Sequence, residues 1–138
     1  MAGRTGKMIL VLLRVIVGGV FIYAGLLKAI DPAQFAKDVD NYRILPFVAS
    51  AAVASYLPWL EIIAGAALIL GICRAGATLL LGGMLLIFFG ALSSAWARGL
   101  DIGCGCFGHA TNKSKYPLSL LIDAALFTAL CVSKRRPK

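Results

Sequence analysis

Cys104 and Cys106 stand one residue apart in the run Gly103-Cys104-Gly105-Cys106-Phe107-Gly108, inside the longest polar stretch of an otherwise lipid-soluble chain. Two thiols this close can trade two electrons as a dithiol and a disulfide, and a membrane setting supplies quinones to take them. A Cys-x-Cys disulfide closes a smaller ring than a Cys-x-x-Cys pair, and departures from preferred geometry make such a bond easier to reduce. Strained, exposed disulfides are the labile, catalytic ones. The interleaved glycines tolerate the backbone angles that the ring demands. His109 follows closely, placed to shuttle a proton or activate a thiol if the fold brings it near; as a solvated loop residue it would do neither.

Three other roles compete for the pair. It could be a static staple for its loop, a partner for a thiol on another protein, or part of a metal site with His109. A closed zinc site wants four ligands, and this stretch offers two cysteines and one histidine, with Asp101 the nearest further candidate. No metal is therefore expected.

The elements that must hold this loop are set by composition. With 60% hydrophobic and 14% charged residues and a mean hydropathy of +0.88, the chain of 138 residues belongs in a bilayer rather than around one soluble core. A hydrocarbon core of ~30 Å takes about 20 apolar residues per helix, and helices satisfy every backbone group in lipid. The expected fold is all-α, a single domain forming a four-helix transmembrane bundle. Its spans are read as Met8 to Ile30, Pro46 to Leu70, Ala75 to Ala97 and Pro117 to Ser133. Asp31-Pro32 stops the first helix and Asp31 to Leu45 reads as a loop. Pro46 and Pro117 suit first turns. Pro58 falls inside the second span and predicts a kink, and the Gly18-Gly19 and Gly82-Gly83 pairs predict close helix approach.

Orientation follows from the basic residues. Arg4, Lys7, Arg74, Lys134, Arg135, Arg136 and Lys138 lie at the chain ends and the middle turn with no acid beside them, which predicts cytoplasmic termini. In the other two loops Lys37, Arg43, Arg98, Lys113 and Lys115 are diluted by Asp31, Asp38, Asp40 and Asp101, which predicts that Cys104 and Cys106 face outward. Disulfides persist on that side of a bacterial membrane. Cys73 and Cys131 fall near the cytoplasmic ends, where small buried packing is expected of them. The net charge of +8 is thus a topology signal, not a nucleic-acid footprint. The first apolar run is too long, and lacks the cleavage pattern, for a signal peptide.

Ionisable residues within spans usually pair or line polar cavities. At 1.5 Å per residue, Arg14 lies ~9 Å from the inner end of its helix and Glu61 ~14 Å from the inner end of the second, so an Arg14–Glu61 bridge is expected. Asp123 lies ~9 Å below the outer end of the fourth helix, and Lys28 is close to the outer end of the first, which predicts a Lys28–Asp123 pair. Glu61 beside Pro58 and Trp59 suggests a carboxyl group and an aromatic face lining a quinone pocket; Tyr56 and Trp59 also suit packing or the membrane interface.

The runs Arg14-Val-Ile-Val-Gly-Gly-Val-Phe-Ile-Tyr-Ala-Gly-Leu-Leu-Lys28-Ala-Ile-Asp31-Pro32, Leu57-Pro58-Trp59-Leu60-Glu61 and Leu70-Gly71-Ile72-Cys73-Arg74 resemble the DoxX superfamily of four-helix membrane proteins. The segment from Arg98 through Cys104-Gly-Cys106-Phe-Gly108 is similar to its MauE branch, the methylamine utilisation proteins. The resemblance implies a partner for thioredoxin-like proteins that helps disulfides form in a secreted client, which in MauE proteins is the disulfide-rich small subunit of methylamine dehydrogenase. DoxX relatives are also linked to quinone reduction and sulfur-compound oxidation. By analogy of architecture the chain is similar to DsbB and vitamin K epoxide reductase. Those enzymes use two cysteine pairs, whereas this chain offers one outward pair.

The expected function is membrane thiol–disulfide redox chemistry. Cys104 and Cys106 exchange with a thioredoxin-like partner or secreted client, and a quinone near Glu61, or near Lys28 and Asp123, takes the electrons. Two other classes remain open: a non-catalytic membrane anchor for a soluble redox protein, and transport of a small solute past Arg14 and Glu61.

Overall fold

A long N-terminal helix, α1 (Ala2–Ile30), ends where Asp31-Pro32 denies it a further donor. The computed structural model describes residues 2–100 and 116–134. It continues with α2 (Pro32–Asn41), α3 (Phe47–Leu70), α4 (Arg74–Ala97) and α5 (Tyr116–Ser133), so every regular element among the described residues is helical. Cys104, Cys106 and His109 lie outside those residues.

The helices α1, α3, α4 and α5 form a ring in which α1 packs on α3, α3 on α4, α4 on α5 and α5 on α1. Val17, Phe21, Leu68, Leu81, Leu85 and Leu130 fill its centre. The outside is as apolar as the inside: Leu79 is 78% exposed, and Leu12, Ile63, Ile87 and Leu121 also face outward. Such a surface suits lipid, not water. The segments Gly3–Ile30, Phe47–Leu70 and Arg74–Ala97 are long and apolar enough to cross a membrane, and Pro117–Ser133 is a shorter apolar helix. The chain is an all-α membrane protein.

The expected loop from Asp31 to Leu45 is largely helix. Asp31 Oδ1 accepts from the Gln34 amide at 3.0 Å, and Pro32 occupies the first turn, where its missing N–H costs nothing. Phe35, Ala36, Val39 and Tyr42 recur at helical spacing and turn one apolar face onto the bundle. The Arg98 guanidinium donates to the Tyr42 carbonyl and ties the far end of this segment to the end of α4.

Close approach does occur, though between α1 and α3 alone among the glycine pairs expected. A Cβ on Gly18 would stand 2.7 Å from the Gly65 carbonyl, one on Gly65 2.8 Å from the Gly18 carbonyl, and one on Gly25 2.8 Å from the Pro58 carbonyl. Gly82 has only ordinary contacts, and Gly19 and Gly83 meet open space. Pro58 is buried inside α3, which runs on through it to Leu70.

Candidate functional site

The glycine contacts fix the antiparallel register of α1 against α3, and that register decides which charges meet. Gly18 faces Gly65 and Gly25 faces Pro58, so Arg14 is level with the last turn of α3, while Lys28, reaching back along its own helix, comes to Glu61. Lys28 Nζ donates to Glu61 Oε1 at 2.6 Å. Neither expected bridge is present: Arg14 does not reach Glu61, because Glu61 lies about 12 Å further along the bundle at 1.5 Å per residue, and Lys28 is engaged by Glu61 instead of Asp123. Depth along separate helices carries no register.

The pair is deeply enclosed, Lys28 being 4% and Glu61 2% exposed. Lys28 Nζ also sits 5.2 Å from the Phe35 ring centroid and 4.9 Å from that of Phe88. An ammonium has three donors and no acceptor. Here one donor goes to the carboxylate, and two ring faces attract the remaining charge. Phe35 comes from α2 and Phe88 from α4, so α2 closes the end of the bundle over the pair. Glu61 Oε2 and the fully buried Ser50 Oγ have no hydrogen-bond partner among the described residues. A buried oxygen left unpaired is costly, so Glu61 retains capacity to accept a proton or a donor.

Trp59 does not join this site. It is 59% exposed, and Tyr56 is likewise exposed, both on the outer face of α3 as interface residues would be. The aromatic walls come instead from Phe35 and Phe88, which the sequence reading missed. Phe35 was detectable from the apolar period of residues 35–42, whereas Phe88 is one of many apolar residues in α4 and carries no local signal.

Asp123 is buried on α5 and borders a cleft of about 240 Å³ between α4 and α5, with Leu85, Phe89, Phe127 and Thr128 in its wall. Leu100 and Leu120, on either side of the stretch carrying Cys104, Cys106 and His109, pack against Tyr42, Leu92 and Ala95. The stretch is thus joined at the end that α2 covers. At the opposite end Cys73 and Cys131 are free thiols and exposed, contrary to the packing role expected of them. Cys73 lies in the turn before α4, and Cys131 points away from the core while its neighbour Leu130 is buried.

The family model described as methylamine utilisation protein MauE matches residues 6–134. Over 129 residues the sequence is 33% identical to the methylamine utilization protein MauE of Paracoccus denitrificans, covering 91% of this chain and 68% of that protein. Over 83 residues it is 32% identical to the protein of the same name from Methylophilus methylotrophus, covering 59% of this chain and 44% of that one. No solved structure matches.

Proposed function

Because the chain belongs to the MauE family, we propose that it is a membrane accessory protein in methylamine utilisation that carries out thiol–disulfide chemistry. In this reading it is a four-span member of the wider DoxX superfamily in a bacterial cell membrane. Its termini are cytoplasmic and its Cys104–Cys106 pair is outward. The supporting observation is the end covered by α2: an enclosed Lys28–Glu61 pair with a spare carboxylate oxygen lies at the end to which the cysteine stretch is joined. Buried ionisable groups at membrane depth are expensive and are commonly kept for proton or ligand handling.

The reaction is a two-electron exchange. A client or thioredoxin-like dithiol attacks the Cys104–Cys106 disulfide through a mixed disulfide; the client gains a disulfide, and this chain is left with two thiols. A membrane quinone, when bound, supplies the sink for those two electrons and two protons. A quinone head would lie against the small cleft at Asp123, whose wall is apolar and aromatic with one carboxyl group for orientation. Glu61 would hold or pass a proton at Oε2, with Lys28 fixing Oε1. His109 would serve the thiols, and Arg14 and Trp59 lie away from the Lys28–Glu61 pair.

Oxidation of a dithiol client by the protein in lipid tests the reading. Cys104→Ser and Cys106→Ser should each abolish it, and normal oxidation by both single variants would contradict it. A Cys104–Cys106 disulfide that resists mild reductant would instead mark a staple, and the protein would then be a non-catalytic anchor.

A further inference from the structure

The end of the bundle opposite α2 carries a second constellation that thiol chemistry does not use. An open cavity of about 990 Å³ lies between the α3–α4 turn and the end of α5, with Arg14, Arg74 and Lys134 in its wall. These cations come from three separate parts of the chain, and no acidic side chain is found among the described residues of the wall. Arg14 Nη1 lies 3.7 Å and Arg74 Nε 3.4 Å from the point where a Cβ on Gly71 would stand, so the two guanidiniums are within about 7 Å of each other and repel.

Little among the described residues offsets that repulsion. Arg74 Nε donates to the Gly71 carbonyl at 3.3 Å, and Arg14 has no hydrogen bond or ion pair among the described residues. Buried Ser133 Oγ, also in the wall, has no hydrogen-bond partner there either. The cavity further borders the start of α4, where Cys73 provides no side-chain cap and the amides ahead of Ala77 lie outside the helical ladder. Guanidinium groups match phosphate oxygens in two-pronged geometry. The volume is within the range of ~300–1,000 Å³ of small-molecule sites.

We infer that this cavity binds a phosphate-bearing anion, with the headgroup of an anionic phospholipid as its source. Arg14 and Arg74 clamp the phosphate, and Lys134 adds charge. The cavity opens at one end of an apolar bundle, where headgroups lie, and basic pockets between membrane helices bind such lipids. The site is independent of Cys104, Cys106 and the proposed redox reaction.

Native mass spectrometry of the full chain in detergent, titrated separately with phosphatidylglycerol, phosphatidylcholine and inorganic phosphate, tests this. Wild type should retain phosphatidylglycerol over phosphatidylcholine by about tenfold or more. Arg14→Gln with Arg74→Gln should remove that preference, Arg14→Lys with Arg74→Lys should restore much of it, and Lys7→Gln with Lys37→Gln should leave it intact. Adducts of inorganic phosphate that need both arginines, without lipid preference, would keep the anion site but assign it to a soluble phosphate. Equal retention of both lipids with no phosphate adduct, or a preference that survives the Gln pair while the fold is intact, would overturn the inference.

Discussion

At the end of the bundle covered by α2, a cation and an anion are enclosed together; at the other end, Arg14, Arg74 and Lys134 face an open cavity with no acidic side chain among the described residues of its wall. Lys28 has a carboxylate at 2.6 Å and two aromatic faces, whereas Arg14 has neither among the described residues. The contrast separates two uses of charge in a membrane bundle. A fully enclosed charge must be compensated by the protein itself, because nothing else can reach it. A charge left at an open end relies on solvent or a ligand, and so marks where a ligand of opposite sign would bind.

Uncoupling the enclosed pair separates the two uses of charge most strongly. Glu61→Ala strands the Lys28 ammonium and should cost about 3–5 kcal/mol in unfolding from mixed micelles, whereas Lys28→Met combined with Glu61→Leu should lose clearly less. If the double replacement is as damaging as the single one, compensation is not what the pair provides. Gly65→Ala sets a methyl group against the Gly18 carbonyl and should cost about 1–3 kcal/mol, disturbing the register that brings Lys28 to Glu61. An unchanged unfolding midpoint would remove the close-packing account of that register.

Smaller effects sharpen the contrast. Asp31→Ala removes the cap of α2 and should cost about 1 kcal/mol, with faster amide exchange in residues 32–41. Unchanged exchange there would mean that the cap does not hold α2 over Lys28. Arg14→Gln removes an unpaired charge at the open end and should change stability in detergent by no more than about 0.5 kcal/mol. A large loss would show that Arg14 has a protein partner after all.

Much of the scaffold is legible in the sequence because a bilayer imposes length and hydropathy on each long helix. The breaks at Ile30, Leu70 and Ala97 follow from Asp31-Pro32, the Gly71 turn and the polar stretch after Arg98. The helix α2 is hidden for the opposite reason: at ten residues, with Lys37, Asp38 and Asp40 among them, it shows no hydropathy peak. Only the period of Phe35, Val39 and Tyr42 and the Asp31 cap betray it. Lys28, Glu61 and Asp123 are visible as charges within apolar runs, but the pairing of Lys28 with Glu61 is not. Pairing depends on helix rotation and register, which here are set by Gly18, Gly25 and Gly65 meeting a neighbouring backbone or side chain. A glycine in a membrane helix does not announce which neighbour it will meet.

Transfer of electrons from Cys104 and Cys106 to the membrane is what the proposed function requires. Thiol trapping tests it most directly: the purified protein in lipid is reduced, a quinone is added, and alkylated cysteines are counted by mass over time. Rapid joint protection of Cys104 and Cys106, with Cys73 and Cys131 still alkylated, is the predicted result. A pair that remains fully alkylated with quinone present would contradict it.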